Sequence, residues 1–135
     1  MPHILDGKKI AQKLKDQLKI EIENIKIKSD RVPGLAVIQV GNVAASSVYV
    51  KAKTKAAKEV GIDVIDHHLE KSTNQNDLIN LINQLNNNND INGILVQLPL
   101  PKTINEEVVL NSIAPEKDAD GFHPLNVGKL SISQE

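Results

Sequence analysis

LAVIQV, residues 35–40, follows a Pro33-Gly34 break and is almost wholly apolar and rich in β-branched residues. A strand with one solvated face alternates apolar and polar; a run apolar on both faces has to be covered on both. The segment INGILVQLPLP repeats the signal, with a strand expected over Ile94 to Gln97 and stopped by Pro99 and Pro101. IDVIDHHL, residues 62–69, alternates enough for another strand, less buried than the first. Helical patterns separate the three. SSVYVKAKTKAAKEVG lies between the first two, closed by Gly61 as a C-terminal cap, and NDLINLINQLN, residues 76–86, precedes the third. Asp6 reads as the N-cap of a long leading helix, with Ile10, Leu14, Leu18 and Ile22 on one stripe. A short helix over NEEVVLNSI then precedes PEKDADGFHPLNVGKL, a segment rich in turn residues.

Strands separated by helices pair in parallel through right-handed crossovers, so the expected fold is α/β, an open, mostly parallel sheet with helices on both faces. Ligands of such sheets collect beyond the carboxyl ends of the strands. Here that edge would hold VGNVAASS, QLPLP and the DADG loop.

With 135 residues the chain is one domain's worth, long enough for a core without a disulfide or metal staple. The absence of cysteine excludes thiolate catalysis and fits a reducing compartment. The opening MPHILDGKKIAQKLKDQ shows neither a signal-peptide pattern nor a membrane span, so a cytoplasmic location is expected. Sixteen basic against seventeen acidic residues leave a net charge of −1, and one Tyr, one Phe and no Trp leave no stacking platforms, so neither nucleic acid nor a membrane is an expected partner.

The single tyrosine is informative because of its neighbour. On a helical wheel at about 100° per residue, Ala45, Tyr49, Ala52, Ala56 and Val60 share an arc with Val48, while Lys51, Lys55 and Lys58 cluster together outside it. Lys53 falls beside Tyr49, at the edge of the apolar face. Its stem can lie along that face with the ammonium reaching water, or it can line a cleft, where a partly desolvated lysine becomes usable as an acid or base. Gln97 interrupts an apolar run, and a buried amide needs partners. Either loop backbone or the Lys53 ammonium would serve. Asp120-Gly121 is a turn signal, yet a fixed carboxylate could also accept paired N–H donors from a flat heterocycle such as a pterin or guanine edge. Asp118 suits a capping or turn role. His67 and His68, adjacent on a strand, point to opposite faces, and His3 and His123 complete no ligand set, so no metal is expected. No G-x-G-x-x-G or phosphate-binding loop is present.

VGNVAASSVYVKAKTKAAKEVGI, GILVQLPLP and PEKDADGFHPLNVGKL together resemble the bifunctional methylenetetrahydrofolate dehydrogenase/cyclohydrolase family over essentially the whole chain. The resemblance implies an amino-acid-dehydrogenase-like N-terminal domain, residues 1–135, in one-carbon metabolism. The reactions it implies are oxidation of 5,10-methylenetetrahydrofolate to the 5,10-methenyl form with NADP, or NAD in some members, and hydrolysis to 10-formyltetrahydrofolate. Lys53 matches the family's catalytic lysine and Tyr49 the tyrosine packed on the folate. Gln97 matches the glutamine that positions the lysine, Asp120 the pterin-binding aspartate, and Ser46, Leu98 and Pro99 the wall of the same cleft. Val43, Ala44 and Ala119 depart from common residues beside these positions. The family's second, Rossmann-type domain, which would bind NADP, has no counterpart in these residues, so dehydrogenase activity is not expected of them alone; a homodimer is implied for the full-length protein. The competing readings are a catalytically inactive folate-binding or assembly domain, and a short-chain dehydrogenase. The last, which also uses Tyr-x-x-x-Lys, is disfavoured because no glycine-rich turn precedes Tyr49.

Overall fold

The computed structural model describes residues 2–132, so the outermost ends of the expected domain lie outside the described residues. Strands β1 (Gly34–Val40), β2 (Asp63–Leu69) and β3 (Gly93–Val96) form one parallel sheet in the order β2-β1-β3. Ile38 pairs with His67 on one side and Val96 on the other. The doubly apolar run is therefore the central strand, buried almost throughout. A further parallel bridge joins Ile94 to Asp118, adding the start of the DADG loop to the outer edge of β3.

Strand alternation divides the sheet into two faces. Ala36, Ile38, Val40, Ile94 and Val96 build the main core with Leu78, Ile82 and Leu85 of α3 (Gln75–Asn86) and Val109 of α4 (Glu106–Ser112). The other face meets α2 (Ala44–Glu59), where the buried Gln39 amide donates to Ser47 Oγ at 3.0 Å. Local chemistry sets the helix ends. Asn74 caps α3 by accepting from Asp77 N, Asn105 caps α4 by accepting from Val108 N, and Gly61 takes φ +98 just past α2.

Three expectations change. Helix α1 (Gly7–Ser29) starts at the Asp6 cap as read, but of its stripe only Ile22 is buried, against Gly61; Ile10, Leu14 and Leu18 are 50%, 60% and 42% exposed. Periodicity identifies a face suited to burial, not what covers it. Helix α2 is rotated from the predicted arc. Ser46, Val50, Thr54, Ala57 and Val60 turn toward the sheet, while Ala45, Val48, Tyr49 and Ala52 are exposed. Alanine stabilises a helix from either side of it, so an alanine arc is a weak guide to the buried face. Finally, the turn-rich tail contains a helix, α5 (Pro124–Ser131), with Pro124 in its first turn and His123 Nδ1 accepting from Leu125 N.

Candidate active site

Three segments meet at the carboxyl edge of the sheet. Gln97 follows β3 and keeps the ladder going for one more residue, its N–H donating to Ile38 O at 2.8 Å. That bond fixes the backbone from which its side chain reaches α2. Lys53 Nζ donates to Gln97 Oε1 at 3.1 Å, and Gln97 Nε2 donates to Leu98 O at 2.9 Å. The amide thus uses its oxygen for the lysine and its nitrogen for loop backbone, so both partners foreseen for it are present. Ser46, buried near the start of α2, donates its hydroxyl to the same Leu98 carbonyl at 3.4 Å, and Pro99 follows through a cis peptide. Ser46 and Gln97 therefore converge on the backbone of the Leu98-Pro99 turn.

Tyr49 sits one helical turn before Lys53 but is 61% exposed, not tucked into the apolar face. Lys53 is likewise exposed apart from its bond to Gln97. The site is consequently an open face. Val43 and Val48 near Tyr49, and Phe122, Leu125 and Val127 after Asp120, are exposed apolar side chains on the two segments that flank it. A groove of about 920 Å³ lies on the opposite flank of α2, bordered by Gln39, Ser47, Lys51, Thr54, Asp66 and His68, and none of Tyr49, Lys53, Gln97 or Asp120 borders it.

Asp120 joins the site electrostatically. Burial raises its pKa above the ordinary 3.8; Lys53 opposes the rise and Asp118 adds to it. A raised pKa means that the folded chain holds this proton more tightly than the unfolded one. The resulting stabilisation is full below about 3.8 and is lost as pH rises through the raised value, so ionised Asp120 opposes folding at neutral pH. Asp120→Asn is therefore expected to raise the thermal midpoint at pH 7 and to leave it unchanged at pH 3, where both side chains are neutral. Identical melting curves at pH 7 would contradict this.

Asp118 takes the turn role expected of it, accepting from His123 N and Asn126 Nδ2. Sequence reading passed over Asn126 and Gln39; the signal available for Gln39 was an amide in the middle of an apolar strand. His68 Nε2 lies 2.8 Å from Gly41 O, and His67 Nε2 is buried without a partner among the described residues. The described residues include no cluster of three His, Asp or Glu able to hold a metal, and no helix long and apolar enough to cross a membrane. The turn after β1 does not have the glycine-rich form that holds a dinucleotide: it has one glycine, Gly41, packed against the Lys71 side chain, then Asn42 and Val43.

A parallel sheet with a lysine, an amide and a desolvated carboxyl gathered at its carboxyl edge defines an α/β catalytic-domain architecture. Residues 5–120 match the family model described as tetrahydrofolate dehydrogenase/cyclohydrolase, catalytic domain, and the chain belongs to that family. It is 54% identical over 129 residues to the bifunctional protein FolD of Acetivibrio thermocellus, covering 96% of this chain and 45% of that protein. It is 49% identical to bifunctional protein FolD 2 of Arabidopsis thaliana, covering 96% and 43%. The crystal structure of the bifunctional FolD enzyme from Campylobacter jejuni superposes with a TM-score of 0.93 at 47% identity, over 96% of this chain and 46% of that one. The Trypanosoma brucei dehydrogenase-cyclohydrolase, solved with NADP cofactor and inhibitor, superposes at 0.91 with 36% identity, over 98% and 46%. The chain thus spans a little under half the length of the relatives it matches.

Proposed function

We propose that residues 1–135 form the folate-binding catalytic domain of a methylenetetrahydrofolate dehydrogenase/methenyltetrahydrofolate cyclohydrolase, and that the substrate lies across the carboxyl edge of the sheet. The observation that carries this is the Lys53–Gln97 hydrogen bond beside the desolvated carboxyl of Asp120. Asp120 accepts N–H groups of the pterin, as a fixed carboxylate can. Tyr49 lays its ring on the folate, and Ser46, Leu98 and Pro99 form the wall beneath. Gln97 orients the Lys53 amine.

The methenyl carbon is electrophilic because its positive charge is shared between two nitrogens. Water adds to that carbon and loses one proton to give a carbinol. N5 gains a proton, the carbon–N5 bond breaks as the hydroxyl gives up its own proton to become the carbonyl, and the formyl group remains on N10, with one proton released overall. Lys53 serves these proton movements. In the oxidation, NADP would accept the hydride, and it is bound outside these residues, within a longer homodimeric protein in the cytoplasm. The family membership and the FolD relatives support this reading.

Calorimetric titration with tetrahydrofolate tests it. The chain is expected to bind and Asp120→Ala to bind at least tenfold more weakly, with no NADPH formed from NADP and 5,10-methylenetetrahydrofolate. Equal affinity of the two proteins would remove Asp120 from the site.

A further inference from the structure

The two aspartates of the DADG turn are held in opposite ways. Asp118 is satisfied within the protein: its Oδ2 accepts from His123 N at 2.8 Å and from Asn126 Nδ2 at 3.0 Å. The same Asn126 nitrogen donates to Pro115 O at 2.8 Å, so its two hydrogens bridge the start of the turn to the aspartate inside it. The Asp120 carboxyl accepts no hydrogen bond from the described residues and is placed entirely by the backbone on either side. That backbone is fixed by Ala119 N donating to Ile94 O at 3.3 Å and Gly121 N donating to Asp118 O at 3.2 Å, with Gly121 at φ +69. At the front of the turn, Lys117 Nζ donates to the carbonyls of Leu85, Asn86 and Asn88, tying it to the end of α3.

We propose that Asp118 and Asn126 are positioning residues that clamp the turn so that Asp120 faces its ligand with both carboxylate oxygens free. The inference rests on reading Asp120 as the acceptor of the pterin N–H groups. The clamp depends on shape at one position and on charge at the other. Asn126 must offer two donors from one nitrogen, which alanine cannot. Asp118 uses a single oxygen for both of its bonds, so an asparagine with its Oδ1 in that place keeps the clamp and removes only the charge. That charge acts on Asp120 from within the turn, with Lys53 acting from α2 in the opposite sense.

The test uses the 135-residue chain and four variants: Asn126→Ala, Asp118→Ala, Asp118→Asn and Asp120→Ala. The probe is 5-formyltetrahydrofolate, followed by calorimetry, with amide exchange at Gly121 and the titration of the Asp120 carboxyl followed by NMR. Asn126→Ala and Asp118→Ala are expected to weaken binding at least tenfold and to speed Gly121 exchange at least tenfold. Asp118→Asn is expected to bind within threefold of the unaltered protein while its Asp120 titrates at lower pH. Should Asp118→Ala fail to fold, Asn126→Ala still decides, because it leaves the bond from His123 N in place. Unchanged Gly121 exchange in Asn126→Ala overturns the clamp. So does loss of binding in Asp120→Ala with full binding in the two clamp variants. If Asp120→Ala binds like the unaltered chain, the folate reading fails, and the exchange and titration data still judge the clamp.

Discussion

Lys53→Met is expected to slow hydrolysis of 5,10-methenyltetrahydrofolate by about 10²- to 10⁴-fold, the range for losing a positioned proton-transfer group. The substitution keeps the side chain's length as far as Cε, with a thioether sulfur in place of the δ methylene, and removes the ionisable nitrogen. Because Lys53 is exposed and its one hydrogen bond among the described residues is to Gln97, the fold should be little affected, within about 0.5 kcal/mol. The loss should therefore appear in kcat with the melting temperature unchanged. Gln97→Ala is expected to have a smaller effect on kcat, since the amine remains but loses the acceptor that aims it. The decay of methenyl absorbance above the uncatalysed rate measures both. Equal rates for the Lys53→Met and unaltered chains would remove Lys53 from the chemistry. No catalysed rate in either would leave an inactive folate-binding domain or a site completed by a second domain, and the same pair rebuilt in a longer chain would separate the two.

How far this site could be read from the residues depended on how strongly each feature was constrained. The sheet was legible because LAVIQV and GILV are apolar on both faces, which leaves few places for them in a soluble fold. The Lys53–Gln97 bond was foreseeable because a partly buried amide at a strand end needs partners and a lysine one crossover away can supply one. The rotation of α2 was not, because its alanines fit an exposed surface as well as a buried one. That misplacement put Tyr49 on a covered arc, whereas it lies open on the surface. Asp118 was recognisable as a turn residue, but its bond to Asn126 spans eight positions and depends on α5, which a turn-rich composition concealed. The stripe of α1 is real as a pattern and mostly uncovered among the described residues, since a period carries no information about a partner.

Gly34→Ala is expected to destabilise the domain by about 3 kcal/mol or more, combining overpacking with the loss of one or two hydrogen bonds. Gly34 opens β1 against the chain entering β3, and an added Cβ would collide with the backbone carbonyl oxygen of Asp90. Neither side can retreat at low cost. Gly34 N donates to Asn92 Oδ1 at 3.0 Å, and Asn92 N donates back to Gly34 O at 2.8 Å. Asp90 is held by Arg31 at 2.9 Å, and the adjoining Ile91 is buried in the core. Moving either strand disturbs the Leu35–Gly93 pairing that starts the β1–β3 register, and that register delivers Gln97 to Lys53. Against a typical total of about 5–15 kcal/mol, the loss should lower the urea midpoint clearly with no change in slope. Gly128→Ala supplies the contrast. Gly128 lies inside α5 with nothing among the described residues near the position of an added Cβ, so alanine there should be neutral or stabilise by up to about 1 kcal/mol. The same methyl group thus has opposite expected signs at the two positions, and equal urea midpoints for Gly34→Ala and the unaltered chain would show that β1 does not approach Asp90 this closely.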